Sequence, residues 1–287
     1  MDSDSRGVAL ITGGAGTIGI ACARALTENV ILLADTSSER LASAAEQVGS
    51  GGADVRTAVC DVTDDSSVTA LAKTLADIGP LRVLVHTAGL SGAMADSPRI
   101  LDVNFAGTLR VLDATEPLVR PGTVGVAIAS VSGHRGFARQ YDAVLRVATA
   151  ADALGLLTAS GAAGLHPRAA YAISKRGMIL QVQRRAAAWG TRGGRLVSLS
   201  PGLLADTTMG GLVQSTGGES RAYAGRSAVG RAGTTADIAA TVRFLASPGA
   251  GYLSGTDVLV DGGVLAATDH HLDAVARTRW HSAPVAD

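Results

Sequence analysis

What the chain lacks narrows the possibilities first. It has no net charge, because 25 Lys and Arg offset 25 Asp and Glu over 287 residues. The electrostatic footprint with which nucleic-acid binders hold a phosphate backbone is therefore missing, and no nucleic-acid partner is expected. Long apolar runs are missing too. The stretch from Val144 to Leu165 comes closest, but Arg146 and Asp152 interrupt it, and a bilayer span needs ~20 apolar residues. No membrane partner is expected. The opening residues, Met1-Asp2-Ser3-Asp4-Ser5-Arg6, start acidic and lead only into the short apolar run Val8 to Ile11, which is not a secretory signal pattern. The two cysteines, Cys22 and Cys60, have no motif spacing, so a reduced, cytoplasmic protein is expected. No G-X-Y period runs through the 36 glycines, which excludes collagen. With no internal repeat and no Pro/Ser linker, residues 1–287 are expected to form one domain.

What is present is an apolar, alternating chain. Hydrophobic residues make up 47%, too many for disorder, and the length suits one large α/β domain. Seven short runs rich in Val, Leu or Ile predict buried strands: Val8 to Thr12, Val30 to Asp35, Val55 to Asp61, Leu81 to Thr87, Val124 to Ser130, Leu196 to Ser200 and Asp257 to Asp261. Helical patterns fall between them, at Ile18 to Glu28, Ser38 to Val48, Asp64 to Asp77, Ser97 to Leu118, Ala169 to Trp189 and Thr235 to Ala246. Asp64 and Thr235 stand where N-caps belong. Such alternation implies a parallel sheet covered on both faces.

The first strand runs into Thr12-Gly13-Gly14-Ala15-Gly16-Thr17-Ile18-Gly19. Gly14, Gly16 and Gly19 satisfy G-x-G-x-x-G between a strand and a helix, the context in which glycines let the backbone approach a pyrophosphate at a helix N-terminus. Asp35 ends the second strand, 16 residues beyond Gly19. A carboxylate there binds both ribose hydroxyls of NAD and repels the 2′-phosphate of NADP. Thr36, Ser37 and Ser38 follow it, with no immediate base, so NAD is the expected cofactor. Asp61, at the end of the third strand, is a candidate adenine contact; an Asx turn or cap is the equal alternative.

Tyr171-Ala172-Ile173-Ser174-Lys175 opens a helix. Four residues of separation place Tyr171 and Lys175 on one face. A phenol of pKa ~10 is a poor base at neutral pH, and a neighbouring ammonium favours its phenolate.

With those residues in view, the chain resembles the classical short-chain dehydrogenases/reductases over nearly all of residues 6 to 263. The matching pieces stand in the family's order: Thr12 to Gly19, Asp61-Val62, His86-Thr87-Ala88-Gly89, Val103-Asn104, Ser130, Tyr171 with Lys175, Ser200-Pro201-Gly202 and Asp261-Gly262-Gly263. The resemblance implies a Rossmann fold, a doubly wound parallel seven-stranded sheet. It implies that Tyr171 is the general acid/base on the substrate oxygen and that Lys175 lowers its pKa and binds the nicotinamide ribose. By the same resemblance, Ser130 hydrogen-bonds the substrate carbonyl or hydroxyl, and Asn104 holds a relay water. The cofactor contacts would come from Gly13, Gly16, Thr17, Ile18, Gly19, Asp35, Asp61, Val62, Ala88, Gly89, Tyr171, Lys175, Pro201, Gly202, Leu204 and Thr207. No metal is required, since the hydride passes directly between substrate carbon and nicotinamide.

Four departures from the family pattern stand out. The family's middle glycine falls on Thr17, with Gly16 one place early. The usual Asn-Asn-Ala-Gly reads His86-Thr87-Ala88-Gly89, and His86 is expected to be structural. The span from Gly89 to Asn104 is short, and 41 positions separate Ser130 from Tyr171. The last two, with Arg185-Ala186-Ala187-Ala188-Trp189-Gly190, resemble a bacterial hydroxysteroid dehydrogenase/carbonyl reductase group. Residues 139–168 are expected to be a helical insertion, with Val144, Leu145, Ala148, Ala151 and Leu154 at helical spacing. It either packs as a surface helix pair or lines the substrate cleft and alters subunit contacts. Leu203, Met209, Leu212 and Val213, among Gly210, Gly211, Gly217 and Gly218, suggest a mobile apolar lid. The tail 264–287 carries the adjacent pair His270-His271, a poor metal spacing. The expectation is an NAD-dependent oxidoreductase acting on an apolar secondary alcohol or ketone, alicyclic or steroid-like, and assembling as a homodimer or homotetramer. The alternatives are a ketoreductase of secondary metabolism and a non-catalytic dinucleotide sensor.

Overall fold

A computed structural model describes residues 6–207 and 227–268. Seven apolar runs pair as strands: β1 (Val8–Thr12), β2 (Val30–Asp35), β3 (Val55–Val59), β4 (Leu81–His86), β5 (Val124–Ile128), β6 (Arg195–Pro201) and β7 (Asp257–Val260). Their order is β3-β2-β1-β4-β5-β6-β7, and every neighbouring pair is parallel. This is the parallel sheet that the alternation predicts, doubly wound as the resemblance implies.

Successive side chains of a strand point to opposite faces, and both faces here are apolar. Val8, Leu10 and Leu32 meet α3 (Asp65–Ile78), α5 (Gly107–Thr115) and α8 (Pro167–Thr191) through Leu71, Leu75, Leu112, Met178 and Val182. Ala9, Ile11, Ile31 and Leu33 meet α1 (Thr17–Ala25), α2 (Ser38–Gly49) and α9 (Thr235–Ala246) through Cys22, Leu41, Ile238 and Val242. The winding reverses between β1 and β4, which opens a crevice beyond their carboxyl ends. All the sequence-predicted site residues of the glycine-rich loop and of the segments after β4 and β5 belong to that end of the sheet.

Several boundaries differ from expectation. The third strand stops at Val59 rather than Asp61, because Asp61 folds into a turn in which its Oδ1 accepts from the Thr63 N–H at 2.9 Å. The expected helix from Ser97 to Leu118 is broken into α4 (Ser97–Leu101), a π-turn over Asp102–Ala106, α5 and a 3-10 turn over Glu116–Leu118. Thr235 is not an N-cap. Thr234 is, in a capping box with Asp237, while the N–H and hydroxyl of Thr235 donate to Asp206.

The insertion is helical, as α6 (Asp142–Val147) and α7 (Ala153–Ala159). The single stripe expected through it is broken at Ala148–Asp152, where the Thr149 N–H donates to Asp152 Oδ1, and Ala151 is exposed. Leu145, Ala148, Ala153 and Leu157 form a third apolar cluster with Ile100, Phe105, Leu109, Ile173 and Leu180. No helix among the described residues is long and apolar enough to cross a membrane. The glycine and apolar lid residues at 209–218 and the tail histidines His270 and His271 lie outside the described residues.

Candidate active site

The glycine-rich loop fits a dinucleotide on its own geometry. Gly13 has φ +66°, and a Cβ there would stand 2.6 Å from the Ala88 nitrogen. A Cβ on Gly19 would stand 2.5 Å from the Gly13 carbonyl oxygen. Glycine is thus required where the loop presses on the β4 segment and where α1 presses on the loop. No side chain caps α1 at Gly16, whereas Ser37, Asp64 and Asp96 cap α2, α3 and α4. Its first N–H groups carry the partial positive charge that suits a phosphate.

Asp35 closes one side of this loop. Its Oδ2 accepts from the Ala15 N–H at 3.2 Å and its Oδ1 from the Thr36 N–H at 2.9 Å. The sequence reading missed Arg40, one turn into α2. Its Nη1 lies 3.8 Å from Asp35 Oδ1, and its Nη2 donates to the Ala15 carbonyl at 3.1 Å. Asp61 and Val62 follow β3. Asp61 Oδ2 meets Arg99 at 3.5 Å, and hydrogen bonds from Thr63 with the Arg99 charge outweigh its burial and hold its carboxyl below the usual range.

The second half of the site gathers on β5 and α8. Ser130 lies two residues beyond β5 and begins a 3-10 turn over Val131–His134. Burial pushes the Tyr171 phenol up, and the neighbouring Ser130 hydroxyl partly offsets this by pulling it down. The Lys175 Nζ stands 5.8 Å from the centre of the Tyr171 ring and donates to the Ile128 carbonyl at 2.7 Å. Burial pulls Lys175 down to about 8. Gly89 faces both groups, since a Cβ there would lie 3.3 Å from Asn104 Oδ1 and 3.6 Å from Lys175 Nζ.

Asn104 sits in the π-turn, a distortion that recurs at functional sites. Its carboxamide clamps Leu90, accepting from the Leu90 N–H at 2.7 Å and donating to the Leu90 carbonyl at 2.9 Å. It also donates to Ser174 Oγ at 3.2 Å, and Ser174 donates to the Tyr171 carbonyl at 2.7 Å. Ser174 was missed in the sequence, although it stands three residues after Tyr171 and hence on the same helical face.

His86 is fully buried and linked to the same turn. Thr108 Oγ1 lies 2.6 Å from the Asn104 carbonyl, to which it donates its proton. Its oxygen must then accept from His86 Nε2, 3.0 Å away, which leaves His86 Nδ1 to accept from Thr12 Oγ1 at 2.7 Å. This assignment follows from donor bookkeeping. Burial, then the Lys175 charge, pushes His86 down to about 3, so it is neutral.

Beyond β6, Leu204 is buried and bridges to Gly233, and Thr207 Oγ1 reaches the Leu204 carbonyl at 3.5 Å. Gly202 packs against Asp261, where a Cβ would lie 2.8 Å from its Cα. Among the described residues, no group of three His, Cys, Asp or Glu could hold a metal ion.

A glycine-rich phosphate loop and a Ser–Tyr–Lys cluster thus share one sheet end. Residues 7–142 match the family model described as short chain dehydrogenase, and residues 142–265 match one described as Enoyl-(Acyl carrier protein) reductase. The short-chain dehydrogenase/reductase bsc3 of Alternaria brassicicola is 31% identical over 263 residues, 90% of this chain and 95% of that protein. The chain belongs to the short-chain dehydrogenase/reductase family. Another family member, the 3-alpha-hydroxysteroid dehydrogenase/carbonyl reductase of Comamonas testosteroni, is 33% identical over 186 residues, covering 63% of this chain and 71% of its own length. Among solved structures, gox2181 is 26% identical with a TM-score of 0.75, covering 91% of this chain and 96% of its own. Members of this family bind a nicotinamide dinucleotide and act on alcohols and ketones, and this chain shares that class.

Proposed function

We propose that this short-chain dehydrogenase/reductase is an NAD-dependent, cytoplasmic enzyme that interconverts a secondary alcohol and a ketone on an apolar, alicyclic or steroid-like substrate. The observation that carries the reading is the Lys175 ammonium 5.8 Å from the Tyr171 ring, with the Ser130 hydroxyl close enough to influence the phenol. A substrate oxygen placed against both hydroxyls would be held by Ser130 while Tyr171 gives or takes the proton. Lys175 supplies positive charge at that point, and Asn104 fixes the helix turn behind it through Ser174. When bound, the nicotinamide supplies or takes the hydride. Asp35 favours NAD, because a carboxylate accepts from ribose hydroxyls and repels a phosphate.

A second reading of the cofactor has its own observation. Arg40 lies 3.8 Å from Asp35 and could meet a 2′-phosphate, which would admit NADP. The substrate reading leans on the hydroxysteroid relative and on the insertion that packs against α8. We also propose self-association as a dimer or tetramer, supported by three exposed apolar side chains, Phe244 on α9, Tyr252 in the turn that follows and Leu259 on edge strand β7. The test of the whole reading is a panel of cyclic and steroidal alcohols with NAD and with NADP, followed by the absorbance of the reduced nicotinamide. Turnover with NAD on a cyclic alcohol supports it. Activity confined to polyols, or to NADP, overturns the substrate or the cofactor part respectively.

A further inference from the structure

The turn that carries Ser130 is held at three points. At its start, Ser130 Oγ accepts from the Ser132 N–H at 3.2 Å, and the Ser130 carbonyl accepts from Gly133 at 2.9 Å. In its middle, Gly133 presses on the backbone of α8, since a Cβ there would lie 2.9 Å from both the Arg176 nitrogen and the Lys175 carbonyl carbon. At its end, His134 Nε2 lies 2.9 Å from Asp257 Oδ2.

Asp257 is an unusual residue for its place. It opens β7, and its side chain is only 6% exposed. A carboxylate withdrawn from water needs its oxygens bonded. Oδ1 accepts from Ser198 Oγ at 2.6 Å and from Ser200 Oγ at 3.1 Å, two fully buried serines of β6 that share a face. Oδ2 is left to His134. Arg176 adds only its field at Asp257, because its guanidinium is bonded to Asp142 of the insertion at 2.9 and 2.6 Å. Ser198, Ser200 and Asp257, on two neighbouring strands, thus form one polar cluster that ends on His134, four residues after Ser130.

We propose that His134, held by Asp257, is a positioning residue that sets the angle at which Ser130 meets the substrate oxygen. This rests on reading Ser130 as the hydroxyl that faces that oxygen. The hydrogen bonds of Ser130 are to its own turn, so its placement depends on how firmly the turn is anchored at both ends.

The test compares His134→Leu, His134→Gln, Asp257→Asn and the double variant His134→Leu/Asp257→Asn. The probe is the reduction of 9,10-phenanthrenequinone, an activated apolar ketone, by NADH. His134→Leu is expected to lose kcat by about tenfold or more, because small misplacements of a reacting group are costly, with KM and the NADH dissociation constant unchanged. His134→Gln keeps an N–H donor at comparable reach and restores most of the rate. The double variant is no slower than His134→Leu, as for residues acting as one unit. A crystal structure of His134→Leu should show Ser130 withdrawn from Tyr171. An unchanged Ser130 position or unchanged kcat in His134→Leu overturns the proposal, as does a rate loss that glutamine does not rescue at an equal melting temperature. Ser130→Ala separates the two levels: full turnover in that variant sinks the reading of Ser130, whereas its loss beside a normal His134→Leu sinks only the role of His134.

Discussion

The Nζ of Lys175 donates to the carbonyl oxygen of Ile128 at 2.7 Å, so the ammonium of α8 is tied to the last residue of the strand that leads to Ser130. Keeping that ammonium charged out of water is costly, which is why burial pulls Lys175 down to about 8. Lys175→Met should therefore lose turnover by at least ~100-fold without a loss of stability, because the freed Ile128 carbonyl, at about 1–3 kcal/mol, is offset by relief of the buried charge. Urea unfolding beside steady-state rates checks this; a strongly destabilised variant would contradict it. Tyr171→Phe should likewise lose turnover while retaining NADH binding, measured by nicotinamide fluorescence.

If the proposed NAD preference holds, Asp35 and Arg40 are the residues that should govern it. Asp35→Ala with Thr36→Arg should move the preference from NAD towards NADP by about tenfold or more, equivalent to about 1.4 kcal/mol. Arg40→Gln should move it the other way, weakening NADP while leaving NAD nearly unchanged. Dissociation constants for both dinucleotides, measured without substrate, decide the matter. A wild type that already prefers NADP refutes the role given to Asp35.

His86 makes the fold sensitive to acid. Its folded pKa is about 3 against about 6.5 unfolded, so below the unfolded value the unfolded chain takes up a proton that the native chain refuses. Stability is complete above about pH 6.5 and falls as the pH drops towards 3, by about 2 kcal/mol at pH 5. His86→Asn should be less stable at neutral pH yet lack this slope. Unfolding free energies at several pH values test the sign.

Gly177 faces Phe105, whose ring carbons would lie 2.5 Å from an added Cβ, and Leu145 of the insertion at 2.9 Å. Gly177→Ala should therefore destabilise by about 1–3 kcal/mol through overpacking, despite alanine's better helix propensity. An alanine variant as stable as wild type, by thermal or urea unfolding, would mean that the insertion yields easily.

The parts of this protein that were legible in its sequence are those written in local chemistry. Strand β1 and the loop after it follow from apolar residues running into glycines, and Tyr171 with Lys175 from a helical interval. What was hidden depends on contacts distant in sequence. Arg40 is near Asp35 in sequence, but it reaches the Ala15 carbonyl, 25 positions away, only because α2 turns back over the loop. Asp257 and His134 are 123 positions apart and meet because β7 lies beside β6. The π-turn around Asn104 leaves no mark in a periodicity that reads as one helix from Ser97 to Leu118. Asp61 was misplaced within a strand because Val55 to Cys60 is apolar enough to extend it, while the side-chain bond to Thr63 that ends it is invisible to hydrophobic pattern.

The π-turn at Asp102–Ala106 also gives this helix a phase. Each residue of an α-helix advances about 100° around its axis, so the extra residue accommodated there decides which way everything before it faces relative to everything after. Ile100 and Leu101 look towards the insertion, and Val111 and Leu112 towards the sheet, with Asn104 between them turned to Ser174. A single-residue deletion inside the turn would mend the helix and yet rotate its two halves out of register with each other. Length changes in this helix are therefore not interchangeable with changes in the loops on either side: the chain can gain or lose residues around it, but not within it, and still present Asn104 to the site.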